Sequence, residues 1–156
     1  MYIRKATLQD VSRFLPTRHD INEFNANNPN RDLWETLRLH LTESSVVAQH
    51  GSKVLAYGGN QGDCVWFLTE HHTLFLSYHE KSEFIRCISE YRDLMLDQYG
   101  TIWNYVWSGN KSHIKFLKLL GAKFHDDWTI SPVTGERFQL FTISKEDVCV
   151  NQYPSV

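Results

Sequence analysis

The stretch Ile102–Phe124, IWNYVWSGNKSHIKFLKLLGAKF, limits what this chain can fold into more than any other. It reads as strand, turn, helix, stop and strand. Ile102–Trp107 is almost wholly β-branched or aromatic, the residue types that suit a pleated, half-buried surface. Alternation puts Trp103, Tyr105 and Trp107 on one face and Ile102, Asn104 and Val106 on the other. A sheet face covered by helices is the expected setting for the aromatic row; any part left open would make a partner-binding platform. Ser108 and Gly109 break the strand, and Asn110 is placed to cap the next helix by accepting a backbone N–H. Ile114, Leu117 and Gly121 then recur at helical spacing, flanked by His113, Phe116 and Leu120. Gly121 is a stop signal, since glycine tolerates the left-handed conformation at a helix end. A strand starts at Ala122.

The remaining chain supplies elements that can pack around this unit. Tyr2–Lys5 reads as a short strand and Thr7–Leu15 as a helix, with Thr7 and Asp10 forming a weak capping box. Thr17–Pro29 is rich in asparagine and has no clear period, so an irregular loop with room for a short helix is expected. Arg31–Thr42 carries Leu33, Leu37 and Leu41 on one helical face. Val46–Gln49 and Val54–Tyr57 form a hairpin, and a second turn at Gly58–Asp63 leads to the strand Cys64–Thr69. After the connection Glu70–Leu76, Ser77 and Glu80 form a capping box for a helix over Tyr78–Gln98. Its predicted apolar face is Phe84, Cys87, Ile88, Tyr91, Leu94 and Met95. Phe138–Ile143 is the last strand, and Ser144–Val156 reads as a loosely held tail. The alternation of strands and helices predicts one α/β domain over residues 1–143, a mixed central β-sheet flanked by helices, followed by a tail over 144–156.

Composition narrows the classes further. With 156 residues the chain is one domain in length, and 42% hydrophobic with 22% charged residues is ordinary for a globular chain. A net charge of -2 gives no reason to expect nucleic acid as the main partner. The longest apolar run, Cys64–Leu68, is far too short to span a bilayer, and the charged N-terminus fits no secretory leader. Cys64, Cys87 and Cys149 lack metal-ligand spacing and cannot all pair, which favours buried free thiols in a reducing compartment. His71 and His72 are adjacent and point apart on a regular element, and no H-E-x-x-H motif is present, so no metal site is expected in the chain. The Gly58–Asp63 stretch lacks both the Lys-Ser/Thr of a P-loop and the G-x-G-x-x-G spacing.

The pattern Asn110, Ile114, Phe116, Leu120, Gly121 resembles the last helix of the GNAT superfamily of N-acetyltransferases. The fuller wording around it resembles the internal virion protein A family of short-tailed, autograph-type phages. Three further blocks carry that second resemblance: Gly58–Asp63 with Cys64–Phe67, then Glu90-Tyr91-Arg92-Asp93, then Phe138–Ile143. Together they run from about residue 57 to residue 143; the first 50 residues resemble GNAT proteins only in layout.

The resemblance implies a single GNAT-like domain and a role in building the phage particle. Other phage structural proteins, or a host protein that the factor blocks, are the implied partners. The host cytoplasm during infection, and the virion, are the implied locations. It also raises an alternative, an acyl-CoA-dependent N-acetyltransferase. In GNAT enzymes the fourth and fifth strands splay apart, and the acyl-CoA arm lies in the gap. Carried onto this sequence, the cofactor residues would be Phe67, Leu68, Asn110 and Lys111, with an anion site at the start of the Tyr78 helix. Two departures count against chemistry. The Glu70–Ser77 connection has no glycine where the superfamily's pyrophosphate loop is Gly-rich, and Leu117 stands where many members carry a proton-donating tyrosine. No catalytic residue is identified; a base would have to come from Glu70, His71 or His72. No cofactor is expected, and acetyl-CoA belongs to the alternative only. Lys111, Lys115 and Lys118 share one helical face, which reads as the solvated back of an amphipathic helix.

Overall fold

A computed structural model describes the backbone of residues 1–152 and side chains through Val148. In chain order the elements are β1 (Tyr2–Lys5), α1 (Leu8–Arg13), α2 (Arg18–Asn27), α3 (Leu33–Leu39), β2 (Val46–His50), β3 (Lys53–Gln61) and β4 (Cys64–Thr69). A 3-10 turn at His71–Phe75 precedes α4 (Tyr78–Tyr99), β5 (Thr101–Trp107), α5 (Lys111–Leu119), β6 (Lys123–Ile130), β7 (Arg137–Ser144) and α6 (Lys145–Gln152). The strands form one seven-stranded sheet in the order β1-β2-β3-β4-β5-β7-β6. All neighbours are antiparallel except β4 and β5. Those two run parallel and meet at a single register pair, Cys64 with Trp103. Beyond it they diverge, so the sheet opens as a wedge toward Thr69 and Trp107.

The helices cover both faces. Leu96, Ile102, Val106, Leu117, Leu120, Phe141 and Ile143 are buried together where α4 and α5 pack on β5 and β7. Val11, Phe14, Leu37, Val47 and Tyr57 form a second core under α1 and α3, with Trp66 and Leu68 packed against it. Strand alternation explains the division: Val65 and Phe67 point to the first core, Trp66 and Leu68 to the second.

Several local expectations change. Thr17–Pro29 is mostly helix. Thr17 caps α2 by accepting the Asp20 N–H at 3.3 Å, and the segment shows no apolar period because it buries carboxylates as well as Ala26. The Gly58–Asp63 turn is shorter than expected, because β3 runs on through Gly58 and Gly59 to Gln61. A Cβ on Gly58 would lie 2.6 Å from the Trp66 carbonyl oxygen and 2.8 Å from the Phe67 Cβ, so glycine is required by close strand approach. Leu94 is 65% exposed while Leu96 is buried, because the C-terminal turns of α4 roll toward Ile102. The first part of the segment read as a tail is helix α6. Ser144 accepts the Asp147 N–H at 3.3 Å, and Val148 joins the first core. Residues 153–156 and the Cys149 side chain lie outside the described residues. Cys87 is buried and Cys64 partly so, both as free thiols.

Candidate functional site

Inside the described sheet, between its two edge strands, the wedge between β4 and β5 leaves backbone groups without a neighbouring strand. Alternation turns the amides of Val65, Phe67 and Thr69 toward it from β4, and those of Trp103, Tyr105 and Trp107 from β5. Such groups must find partners if buried. At the closed end, Trp103 donates its N–H to the Asp63 carbonyl at 3.1 Å. Asn104 forms the next stitch. Its Nδ2 donates across the gap to the Val65 carbonyl at 2.7 Å, and its Oδ1 accepts the Tyr105 N–H at 2.7 Å.

Helix α2 closes the open end. Thr17 donates its N–H to the Thr69 carbonyl at 2.9 Å. Asp20 Oδ2 accepts the Thr69 N–H at 2.7 Å, and Glu23 Oε1 accepts the Trp107 N–H at 2.6 Å. The start of α2 thus lies beside β4 where β5 has moved away. One helical turn on, Glu23 reaches across to β5.

Asn110 holds the two carboxylates together. Its Nδ2 lies 3.1 Å from Asp20 Oδ1 and 3.3 Å from Glu23 Oε2, while its Oδ1 caps α5 by accepting the His113 N–H at 3.1 Å. His113 completes the cluster, with Nδ1 3.4 Å from Glu23 Oε2 and 4.0 Å from Asp20 Oδ1. Its ring meets Phe67 edge-on at 4.9 Å. Burial pushes the Asp20 carboxyl up, against the opposing pull of His113 and of its hydrogen bonds to Thr69 and Asn110. Burial alone would lower the His113 pKa, but the adjoining Glu23 and Asp20 outweigh it and raise it. Among the described residues, Asp20, Glu23 and His113 form the group whose ligand atoms converge closely enough for a metal ion.

A cavity of about 250 Å³ passes through the wedge. Phe67, Met95 and Leu117 line it on one side of the sheet, and Phe24, Leu37 and Trp66 on the other. Glu23 and His113 face it from the mouth.

The residues carried over from the GNAT resemblance are placed unevenly. Phe67 lies within the wedge between the stitches. Leu68 sits opposite Tyr57 in the β3 ladder, so its backbone faces away from the gap. Asn110 is at the mouth but committed to Asp20, Glu23 and the α5 cap. Lys111, Lys115 and Lys118 are all exposed. The start of α4 is capped from within: Glu80 Oε2 accepts the Ser77 N–H at 2.7 Å, and Ser77 Oγ accepts the Glu80 N–H at 3.1 Å. Glu70 is buried and turned onto its own connection, accepting the His72 N–H at 2.6 Å. Leu117 is core, 2% exposed.

Asp20 and Glu23 are the site residues that sequence reasoning missed. The available signal was Thr17-x-x-Asp20, a helix-start pattern at the head of an asparagine-rich segment. The aromatic row on β5 is half-buried. Trp103 Nε1 donates to Asp63 Oδ1 and Trp107 Nε1 to Glu136 Oε2, each at 3.0 Å.

Among solved structures, the fold is similar to the ribosomal-protein-alanine N-acetyltransferase from Brucella melitensis, with a TM-score of 0.63 and 11% identity, covering 92% of this chain and 99% of that one. It is similar also to the aminoglycoside acetyltransferase AAC(6')-Ib in complex with ribostamycin and coenzyme A, with a TM-score of 0.66 and 12% identity, covering 99% of this chain and 98% of that one. A spermidine N-acetyltransferase from Vibrio cholerae gives a TM-score of 0.62 at 11% identity, over 98% of this chain and 100% of that one. At such identities the likeness establishes a GNAT fold and nothing of activity. Sequence relationship is more specific. Residues 44–129 match the family described as "Bacteriophage T7, probable scaffold protein Gp13". The probable scaffold protein gp13 of Escherichia phage T7 is 42% identical over 145 residues, covering 93% of this chain and 98% of that protein. The chain therefore belongs to the family of the phage T7 probable scaffold protein Gp13.

Proposed function

We propose that this protein is a phage assembly factor that uses a GNAT fold as a protein-binding framework and carries out no acyl transfer. The observation that carries the proposal is the bonded mouth of the wedge. The amides at its mouth, of Thr69 and Trp107, are bonded to Asp20 and Glu23 of the same chain. An acyl-CoA arm in that gap would have to break those bonds and leave the buried Asp20 and the half-buried Glu23 carboxylates without partners. The second requirement, an anion site for the pyrophosphate, is opposed by Glu80 on the start of α4 and by the glycine-free connection before it. Membership in a family described as a scaffold protein points the same way.

On this proposal the partners are other structural proteins of the particle, met in the infected bacterial cell while the virion is built. The row Trp103, Tyr105 and Trp107 is the surface best suited to seat one. Aromatic side chains give large contact area, and indole nitrogens already tied to Asp63 and Glu136 lose little freedom on binding. The test is recovery of tagged protein from infected cells, wild type against Trp103→Ala and Tyr105→Ser. The proposal expects phage structural proteins to come down with wild type and to be depleted with the variants, both variants remaining folded. Recovery of the same partners by all three proteins would move the docking surface elsewhere. Absence of any phage structural protein would remove the assembly role.

The alternative, an acyl-CoA-dependent N-acetyltransferase, draws on the splayed strands and the cavity that runs through them. It requires Asp20 and Glu23 to withdraw from the wedge before a cofactor enters.

A further inference from the structure

The His113 imidazole raises a problem that the stitching of the wedge does not solve. Its Nδ1 is fully enclosed and has no hydrogen-bond partner, yet it faces two carboxylate oxygens. A lone pair cannot be held against two negative groups unless positive charge lies between them. A proton is one candidate. A charge-assisted N–H···O bond, however, spans about 2.7–2.9 Å, and here the distances are 3.4 Å and 4.0 Å, neither with hydrogen-bond geometry. Two ligands of one tetrahedral ion, each about 2.1 Å from it, lie about 3.4 Å apart. The Glu23 distance matches that spacing, and the Asp20 distance needs a small inward movement.

We infer that Asp20 Oδ1, Glu23 Oε2 and His113 Nδ1 form a binding site for one divalent first-row transition-metal ion at the mouth of the wedge. The three ligand atoms lie within 4.8 Å of one another. Their outer contacts are those of a built site. Thr69 and Trp107 amides hold the far oxygen of each carboxylate, and Asn110 Nδ2 fixes the near ones. Such outer-shell hydrogen bonds orient ligands before an ion arrives. One imidazole with two carboxylates suits zinc or manganese rather than calcium. Two carboxylates, a neutral imidazole and a divalent ion sum to zero charge. A fourth position faces the wedge cavity, which Glu23 and His113 both line, and water can fill it. The ion would clip α2 to α5 and hold the splayed strands at a set spacing. Its role is thus structural, and the site stands whether or not the assembly role does.

The test is titration of chelator-treated full-length protein with zinc(II) and cobalt(II), followed by calorimetry, thermal melting and the visible spectrum of the cobalt form. The inference expects one ion per chain, a raised melting temperature, and cobalt absorption of a low-coordinate nitrogen–oxygen site. Asp20→Asn, Glu23→Gln and His113→Ala should each weaken binding by at least about tenfold, the lower bound seen when even an outer-shell contact is lost. A His71→Ala/His72→Ala double variant should bind as wild type does. If the ligand variants do not fold, nitrogen NMR of wild-type histidines decides, with zinc moving the Nδ1 signal of His113. No binding of either ion to folded wild type overturns the inference. So does binding that persists in all three ligand variants, binding lost in the His71/His72 variant, or zinc binding that leaves the His113 signal in place.

Discussion

Glu23 and Trp107 lie 84 positions apart in the chain, and the Glu23 carboxylate accepts the Trp107 N–H at 2.6 Å. Together with Asp20 on Thr69, this contact turns the open end of a splayed sheet into a closed polar junction. What α2 contributes to the fold is therefore not an apolar face. It supplies acceptors for strand amides that have no neighbouring strand. Removing any member leaves the others buried without partners, which is where the cost of substitution arises.

Asn110→Ala should cost roughly 3 kcal/mol, well above the roughly 1 kcal/mol of a lost helix cap, because it also strips a donor from the buried Asp20 and the half-buried Glu23 carboxylates. Asn110 is 1% exposed, so water does not replace that donor. Urea unfolding of the variant against wild type measures it. A loss near 1 kcal/mol would mean that the cap is its whole contribution.

Leu117→Ala should destabilise by about 2–4 kcal/mol, as a fully buried leucine whose neighbours cannot collapse into the space. It packs among Leu96, Ile102, Val106 and Leu120. Urea unfolding measures this as well, and a negligible change would show that the neighbours of Leu117 do collapse into the space.

Much of this was legible beforehand. Ile102–Trp107 and the α5 stripe follow from residue type and period, but the buried face of the strand is that of Ile102 and Val106, while the aromatic row expected under the helices stays half-buried. Asn110 was legible as a cap, because the cap is local. Its second role was not, since Asp20 and Glu23 meet it from 90 and 87 positions away. Helix α2 escaped for a related reason. Periodicity detects apolar faces, and α2 places carboxylates in the sheet gap. The second turn was drawn too long because Gly58 and Gly59 look like turn residues. Gly58 is glycine because Trp66 and Phe67 leave no room for a Cβ, and a Cβ on Gly59 would fit tightly, 3.2 Å from the Trp66 ring and 3.3 Å from the Ser45 Cα.

Gly58→Ala should destabilise by about 1–3 kcal/mol, the range for overpacking a tight site, because backbone atoms of β4 stand in the way. Gly62→Ala is an informative companion. Space is open there, but its φ of 60° strains any L side chain. Denaturant midpoints compare the two, and the structure expects Gly58→Ala to be the more damaging and to perturb the Trp66 environment by fluorescence.

The Arg4–Asp10 pair sets a pH response. Hydrogen bonding to Arg4 holds the Asp10 carboxyl below the usual carboxylate range, against a smaller opposing effect of burial. A carboxyl whose folded pKa is depressed adds stability above its unfolded pKa of about 3.9, and that stability is lost as pH falls through the folded value. Melting curves of wild type and Asp10→Asn should therefore differ at neutral pH and converge in strong acid. A gap that is constant with pH would mean the ion pair contributes no proton-linked stability.

The central claim is that the wedge is closed from within, so that the GNAT fold serves here without its cofactor. Calorimetric titration of the wild-type protein with acetyl-CoA tests it most directly. The account predicts no saturable heat up to millimolar ligand. Micromolar, saturable binding that is lost in a folded Asn110→Ala variant would contradict it and assign the wedge to acyl transfer.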